Sequence, residues 1–357
     1  MKRVLLINQA LIPHYRIPVY NYLSEYLGMN QFILTVVSGG LQQANTESVQ
    51  FDYRQVSLSF VNLIKLIREI DPDVIIFWVN LKHLYLFPTL LFSKILMKKV
   101  IYWGHGCDLL DKSKPFRSIL KKNAYTLEHR ICDAIILYAD HLKKYVSSNF
   151  HSKLFVANNT LYLSYNHSGS FSKDHVLAKY HIKTRKNIIC MGRMQKRKRL
   201  QDLFRAFELI DNEDIGLVLV GPDTDGILRE AKGDNVYKLG PIYGDDRLSL
   251  LSVAEVYCLP GAVGLSIVDA FYCGLPVVTE EGEESPEIMY LKDGVNGFIV
   301  PNGDIQQLAA KLQLLLEDDA LRAQFSLAAK NEIMTNGHID NMCKGFRDAL
   351  RFVCDDY

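Results

Sequence analysis

Residues 256–288, VYCLPGAVGLSIVDAFYCGLPVVTEEGEESPEI, pack a strand, a glycine-bearing turn, a short helix, a second strand and an acidic loop into one short stretch. Val256 to Leu259 run apolar, as a strand buried on both faces does, and Pro260-Gly261 stops them. Beyond Gly264, Ile267, Val268, Ala270 and Phe271 mark the buried face of a helix that Gly274 and Pro276 end. A helix N-terminus thus emerges just past a strand's carboxyl end. In a parallel α/β sheet that is where an anionic ligand sits, because free N–H groups and the helix dipole point at it.

Around that stretch, short apolar runs alternate with helical periodicity. In the first half, strands are expected at 3–8, 32–38, 74–79, 100–103, 134–138 and 154–157, and helices near 17–28, 61–70, 82–97, 114–130 and 140–149. Such alternation implies a parallel sheet covered by helices. The stretch from Leu84 to Met97, interrupted by Pro88 and Lys94, suits either a buried helix or a surface helix dipping into a bilayer. Polar residues then dominate 158–186, where an interdomain linker is expected. The pattern restarts with NIICMG at 187–192, continues through LVLVG and VYKLG, and closes with two or three helices from Asp304 onward.

The chain of 357 residues, 48% of them apolar, has material for two cores. The expected fold class is α/β: two Rossmann-like α/β/α domains facing a central cleft, which is the default place for a ligand. Their expected bounds are 1–165 and 166–338, with a C-terminal helix over 339–357 that packs back on the first domain. Seven scattered cysteines without a CxxC pair read as reduced core residues of a cytoplasmic protein. Met1-Lys2-Arg3-VLLIN is too short for a signal segment, and no run of some eighteen apolar residues is present, so no spanning helix is expected.

The net charge of +1 hides an asymmetry. Residues 1–165 hold 19 Lys and Arg against 11 Asp and Glu, a net of +8, and the remainder carries 22 against 29, a net of −7. Between Lys94 and Lys122 eight bases face two acids, Asp108 and Asp111. These are either solvated helix faces or a surface for anionic lipid or a phosphorylated acceptor.

In the second half, Gly192-Arg193 ends a strand and Lys198 follows at the mouth of a helix, a pair of long cations suited to a diphosphate. A solvated basic turn is the plainer reading, since five cations fall between 193 and 199. The motifs around Gly221, Leu239 to Ile242, 261–266 and 280–287 would fall along the same sheet edge. MGRMQKRKRLQDLFRAF resembles the GR-xxxx-K strand and helix of the retaining glycosyltransferases of family 4, which have the two-Rossmann GT-B fold. LVLVGP, NVYKLGPI, AEVYCLP, VGLSIVDAFYCGLPVV and SPEIMYLKDGVNGFIVPNGD follow in that family's order. INQALIPHYRIPVYNYL and YWGHG resemble, more loosely, the first half of bacterial polysaccharide-assembly members.

The resemblance assigns Arg193 and Lys198 to a nucleotide diphosphate and the backbone at Leu239, Gly240 and Ile242 to the base. It adds Gly192, Gly221, Gly264, Leu265, Ser266 and Glu287 to the donor side and places His105 at the active-site histidine. Asp269 stands at the second Glu of the family's E-x7-E motif, which holds ribose hydroxyls, whereas the first Glu falls on Gly261 and is absent: a PGxVGL variant. His14, Arg16, Glu281 and Glu283 are acceptor-side candidates. Two acidic motifs, Asp223-Thr224-Asp225 and Asp245-Asp246, read as turn and N-cap residues, and no metal site is expected.

These resemblances imply a metal-independent, retaining enzyme with no bound cofactor. It would move a sugar from a UDP- or GDP-sugar to a saccharide or polyprenyl-linked acceptor in surface polysaccharide assembly, on the inner face of the plasma membrane. No nucleic-acid partner is expected. An epimerase or hydrolase on the same fold, or an inactive carbohydrate- or nucleotide-binding protein, are the alternatives. With Gly261 unable to act as nucleophile or base, transfer would take the same-face route, the leaving diphosphate accepting the acceptor's proton.

Overall fold

The computed structural model describes the chain outside residues 43–47, 78–82, 84, 110–114, 164–171, 283–284 and 355–357. It divides into two compact units, Met1–Leu163 with His338–Tyr357, and Ser164–Gly337.

Unit 1 holds β1 (Lys2–Ile7), α1 (Arg16–Met29), β2 (Phe32–Ser38), β3 (Asp52–Gln55), α2 (Phe60–Ile70) and β4 (Val74–Phe77). It continues with α3 (Leu86–Ile95), β5 (Lys99–Gly104), α4 (Pro115–Ile131), β6 (Ala134–Leu137) and β7 (Leu154–Val156). Its sheet has the order β3-β2-β1-β4-β5-β6-β7 with every pairing parallel. The apolar runs VLLI, VIIF and AIIL are buried throughout, as a sheet covered on both faces requires. Polar DYRQ forms the strand the apolar pattern does not announce, because an edge position buries little of it. The helix expected at 140–149 is instead two 3₁₀ turns, Asp140–Tyr145 and Ser148–Lys153, split by buried, extended Val146. Helix α3 buries Leu86, Thr89, Leu90 and Ser93 and leaves Leu91 and Ile95 exposed.

Unit 2 holds α5 (Lys173–Lys179), β8 (Lys186–Met191), α6 (Leu200–Ile210), β9 (Ile215–Val220), β10 (Val236–Leu239), α7 (Gly244–Ser252) and β11 (Val256–Cys258). Then come α8 (Ser266–Tyr272), β12 (Val277–Glu280), β13 (Gly297–Val300), α9 (Ile305–Glu317) and α10 (Asp319–Thr335). The sheet order is β10-β9-β8-β11-β12-β13, again all parallel. Helix α5 lies inside the stretch expected to be linker. Its start is marked by Ser172, whose hydroxyl accepts from His175 N–H.

The last helix, α11 (Ile339–Cys354), belongs to unit 1, where it lies against β5, β6, β7 and α1. Phe346 meets Trp103 with ring centroids 4.9 Å apart. A Cβ at Gly345 would come within 2.2 Å of the Val156 carbonyl oxygen, so only glycine lets the helix approach this closely. Both sheets reverse their strand order once, at β1/β4 and at β8/β11. Loops leaving adjacent strands diverge there and open a crevice at the carboxyl edge.

Candidate functional site

In unit 2 the strand-order reversal lies between the turn after β8 and the turn after β11. Gly192 leaves β8 with φ +131° and Gly221 leaves β9 with φ +138°. A Cβ on Gly221 would lie 2.0 Å from the Gly192 carbonyl oxygen, so the two strand ends touch backbone to backbone. The chain then forms a single 3₁₀ turn, Lys196–Lys198, before α6. Arg199, the residue between them, is left-handed at φ +49°, a conformation costing a non-glycine residue about 1 kcal/mol.

That turn aims Lys198 inward. The residue is 8% exposed and its ammonium donates to the Ala262 carbonyl across the crevice, while Gly261 N–H donates back to the Lys198 carbonyl at 2.9 Å. Gly264, just before α8, lies beside the cation: a Cβ there would touch Lys198 Nζ at 3.6 Å, an ordinary contact. Burial, reinforced by Arg197, pulls the Lys198 pKa down to about 8, against the attraction of Glu287. Glu287 is itself buried at the start of the 3₁₀ turn Pro286–Tyr290. Arg193 is exposed on the same turn and makes no hydrogen bond or ion pair among the described residues. One buried and one exposed cation therefore follow the end of β8.

Gly261 is sterically compulsory. A Cβ there would lie 2.3 Å from the Arg197 carbonyl oxygen and 2.6 Å from Lys198 Cα, both backbone atoms that cannot swing aside. The Glu of the E-x7-E motif has no room at this position, because the turn carrying Lys198 occupies it.

The other donor-side candidates lie along the same carboxyl edge. Leu239 ends β10, and Gly240 and Ile242 form the connection to α7. Leu265 and Ser266 open α8, where Ser266 Oγ lies 2.7 Å from the Tyr257 hydroxyl, which also reaches the Met191 carbonyl at 2.8 Å. Asp269 is buried, and its carboxylate faces Arg247 of α7 at 2.9 Å. Burial lifts its pKa to about 6 against the pull of that guanidinium. Arg247 thus stands against the carboxylate to which the family resemblance gives the ribose, and Asp269 Oδ1 is buried without a hydrogen-bond partner. Asp223 accepts from Ile227 and Leu228 N–H, and Asp225 from Lys196 N–H, so this acidic triplet is taken up by turns. Asp245 and Asp246 lie in the first turn of α7, where Asp246 pairs with Lys179.

Three residues at this edge carry no sequence signal for their roles. The Arg199 side chain bonds the Pro260 and Glu281 carbonyls at 2.8 and 2.9 Å, reaches Asn302, and pairs with buried Glu280 at 3.2 Å. Glu280 also accepts from Gly303 N–H at 3.1 Å. It is therefore an internal strut, not a sugar-binding member of the acidic loop. Glu281 is exposed beside it, and Glu283 lies outside the described residues. Arg247 is the third. Nothing in the sequence distinguishes its solvated look from that of a buried pair.

Unit 1 brings its own candidates to its own carboxyl edge. His105 follows β5 in the turn closed by Gly106 N–H donating to the Tyr102 hydroxyl at 2.8 Å. Its ring packs edge-on to Tyr138 at 4.8 Å, and burial holds its pKa down to about 4, so it is neutral at pH 7. His14 and Arg16 flank Tyr15 at the start of α1.

Residues 173–332 match the family model for group 1 glycosyl transferases. That span is less than half of the chain, but it takes in the whole crevice from Gly192 to Glu287. Over 42% of the chain there is 28% identity with a phosphatidyl-myo-inositol mannosyltransferase of Mycobacterium leprae. Over 41% there is 27% identity with the O-antigen chain mannosyltransferase B of Escherichia coli. The matched stretch spans about two-fifths of the length of each of these relatives. In fold the likeness runs through both units. The Anabaena Alr3699/HepE structure in complex with UDP-glucose superposes with a TM-score of 0.76 at 16% identity, over 98% of this chain and 99% of that one. The two-sheet architecture is that of the GT-B glycosyltransferases.

Replacing Gly261 by Ala is expected to destabilise the chain by about 1–3 kcal/mol, because backbone must move to admit the methyl. Urea unfolding checks this. A midpoint equal to that of the unsubstituted chain would show the crevice to be wider than its contacts imply.

Proposed function

We propose that the chain is a retaining, metal-independent glycosyltransferase that takes a UDP- or GDP-sugar and delivers the sugar to a saccharide or lipid-linked acceptor of a surface polysaccharide. The observation that carries this reading is Lys198, a cation held in a crevice at the strand-order reversal with Arg193 above it. A buried ammonium whose one hydrogen bond among the described residues is to a carbonyl is poorly compensated until an anion arrives. The family match over 173–332 and the relatives named for mannosyl transfer supply the chemistry to which such a site belongs.

In this reading unit 2 holds the donor. Arg193 and Lys198 neutralise the charge growing on the diphosphate as the glycosidic bond lengthens, and that charge then takes up the acceptor's proton. Gly261 leaves no carboxylate at the position of the family's first Glu. The reading therefore gives retention to same-face attack and not to a glycosyl-enzyme at that residue. His105, neutral and rigidly packed, is a donor or acceptor of a hydrogen bond to substrate.

Two outcomes are expected. A UDP- or GDP-sugar should raise the melting temperature, since it binds the folded state alone. Lys198→Ala or Arg193→Ala should each remove most of that rise and lower kcat/KM by about 2–5 kcal/mol of transition-state stabilisation. A full thermal response in both variants would refute the assignment, and inverted product by NMR would refute retention.

We also place an anionic membrane surface among the partners, on α4. Phe116, Ile119 and Leu120 are exposed there beside Arg117 and Lys122. Three of the eight bases between 94 and 122 are committed elsewhere, Lys94 to Asp133, Lys98 to Asp71 and Lys121 to Asp108, and Lys112 and Lys114 lie outside the described residues. Exchanging Arg117 and Lys122 for Gln should each remove about 1 kcal/mol of affinity for anionic vesicles in co-sedimentation. Equal partition onto neutral vesicles would contradict this.

A further inference from the structure

Arg16 is the first residue of α1, is only 8% exposed, and has no carboxylate partner among the described residues. Its guanidinium carbon lies 5.8 Å from the Tyr15 ring centre and 5.7 Å from that of Trp103. Nη2 donates to Asn159 Oδ1 at 2.6 Å, and Nη1 is closed off from solvent without a hydrogen-bond partner. The rings supply cation–π attraction but no counter-charge. A buried lysine escapes such a cost by losing its proton, whereas a guanidinium stays charged at any physiological pH.

Among the described residues no carboxylate is paired with it. Helix α1 has no acidic residue in its first turn and no side-chain cap, so its positive dipole end reinforces the cation. His105 is neutral, and Asp108, the acid whose charge it feels, is paired with Lys121 at 2.9 Å. Residues 1–165 carry a surplus of eight positive charges. The rings beside the guanidinium carry no negative charge, and its N–H groups form the planar fork by which arginine grips an oxyanion.

We propose that Arg16, braced by Asn159, Trp103 and Tyr15, is an anion receptor of unit 1 that takes a phosphate or diphosphate group. A multiply charged anion answers both the unpaired guanidinium and the helix dipole. The inference rests on the acceptor-side reading of unit 1, and it makes the acceptor an anionic one, with the phosphate borne by a lipid carrier or free.

Calorimetric titration in a Lys198→Met background, which weakens diphosphate binding in unit 2, tests this with inorganic diphosphate and farnesyl diphosphate as probes. Arg16→Gln and Arg16→Lys are each expected to weaken both probes at least tenfold, the lysine because it keeps the charge but not the fork. The lysine variant serves if the glutamine variant does not fold. Tighter binding of farnesyl diphosphate assigns the lipid source, and equal binding the free anion. Affinities unchanged in both variants, or no binding of either probe before substitution of Arg16, would overturn the proposal. UDP binding by the unsubstituted chain, measured alongside, reports on the donor reading alone.

Discussion

The crevice of unit 2 depends on a reciprocal contact: the Lys198 ammonium reaching the Ala262 carbonyl while Gly261 N–H returns to the Lys198 carbonyl. It ties the turn after β8 to the turn after β11 at the point where the strand order reverses. Because the backbones meet there, position 261 admits no side chain and Lys198 has nowhere to go but inward. Desolvation then costs on the order of 3 kcal/mol, which matches a pKa near 8 where 10.5 is usual. An anion at this place relieves a cost already present in the unliganded chain. The site is pre-arranged and pre-strained in the same stroke.

Arg199 holds the next layer. Its left-handed backbone costs energy that only a specific service repays, and its side chain joins the ends of β11 and β12 to the loop before α9. Those are the loops that carry Ala262, Glu281 and the acidic segment. Glu280, buried beneath, is the counter-ion that lets the guanidinium sit there. The turns that carry Lys198 and Ala262 are therefore held by a network centred one residue beyond the lysine.

Much of this was legible from residue order. Apolar runs such as VIIF and AIIL announced buried parallel strands, and Pro260-Gly261 announced the end of β11, although not that Gly261 and Gly221 stand where backbones meet. What the pattern could not convey was direction. Five cations between 193 and 199 look alike in a string, and only the 3₁₀ turn and the left-handed residue sort Lys198 inward from Arg193 outward. Glu280 stands in an acidic run, yet as the last residue of a strand buried along its whole length it is taken up by Arg199 and Gly303 N–H, while Glu281, just past the strand, is exposed. Asp269 sits where a ribose-binding carboxylate is expected, but α7 brings Arg247 against it, a contact no local pattern encodes. Edge strand β3 and the split turns at 140–153 escaped for the same reason: tertiary position, not composition, decides them.

The titration of Lys198 is the most direct test. A lysine whose folded pKa is depressed bears its full burial cost below pH 8, and the cost fades as pH rises from 8 toward 10.5. An anion beside it must act in the opposite sense and raise the pKa. NMR of the Lys198 side chain, identified by its loss in Lys198→Arg, should therefore show a midpoint near 8 in the free protein. With saturating UDP that midpoint should move upward, and UDP affinity should fall as pH rises above 8. A Lys198 midpoint that UDP leaves in place would contradict the assignment of the crevice to a nucleotide diphosphate.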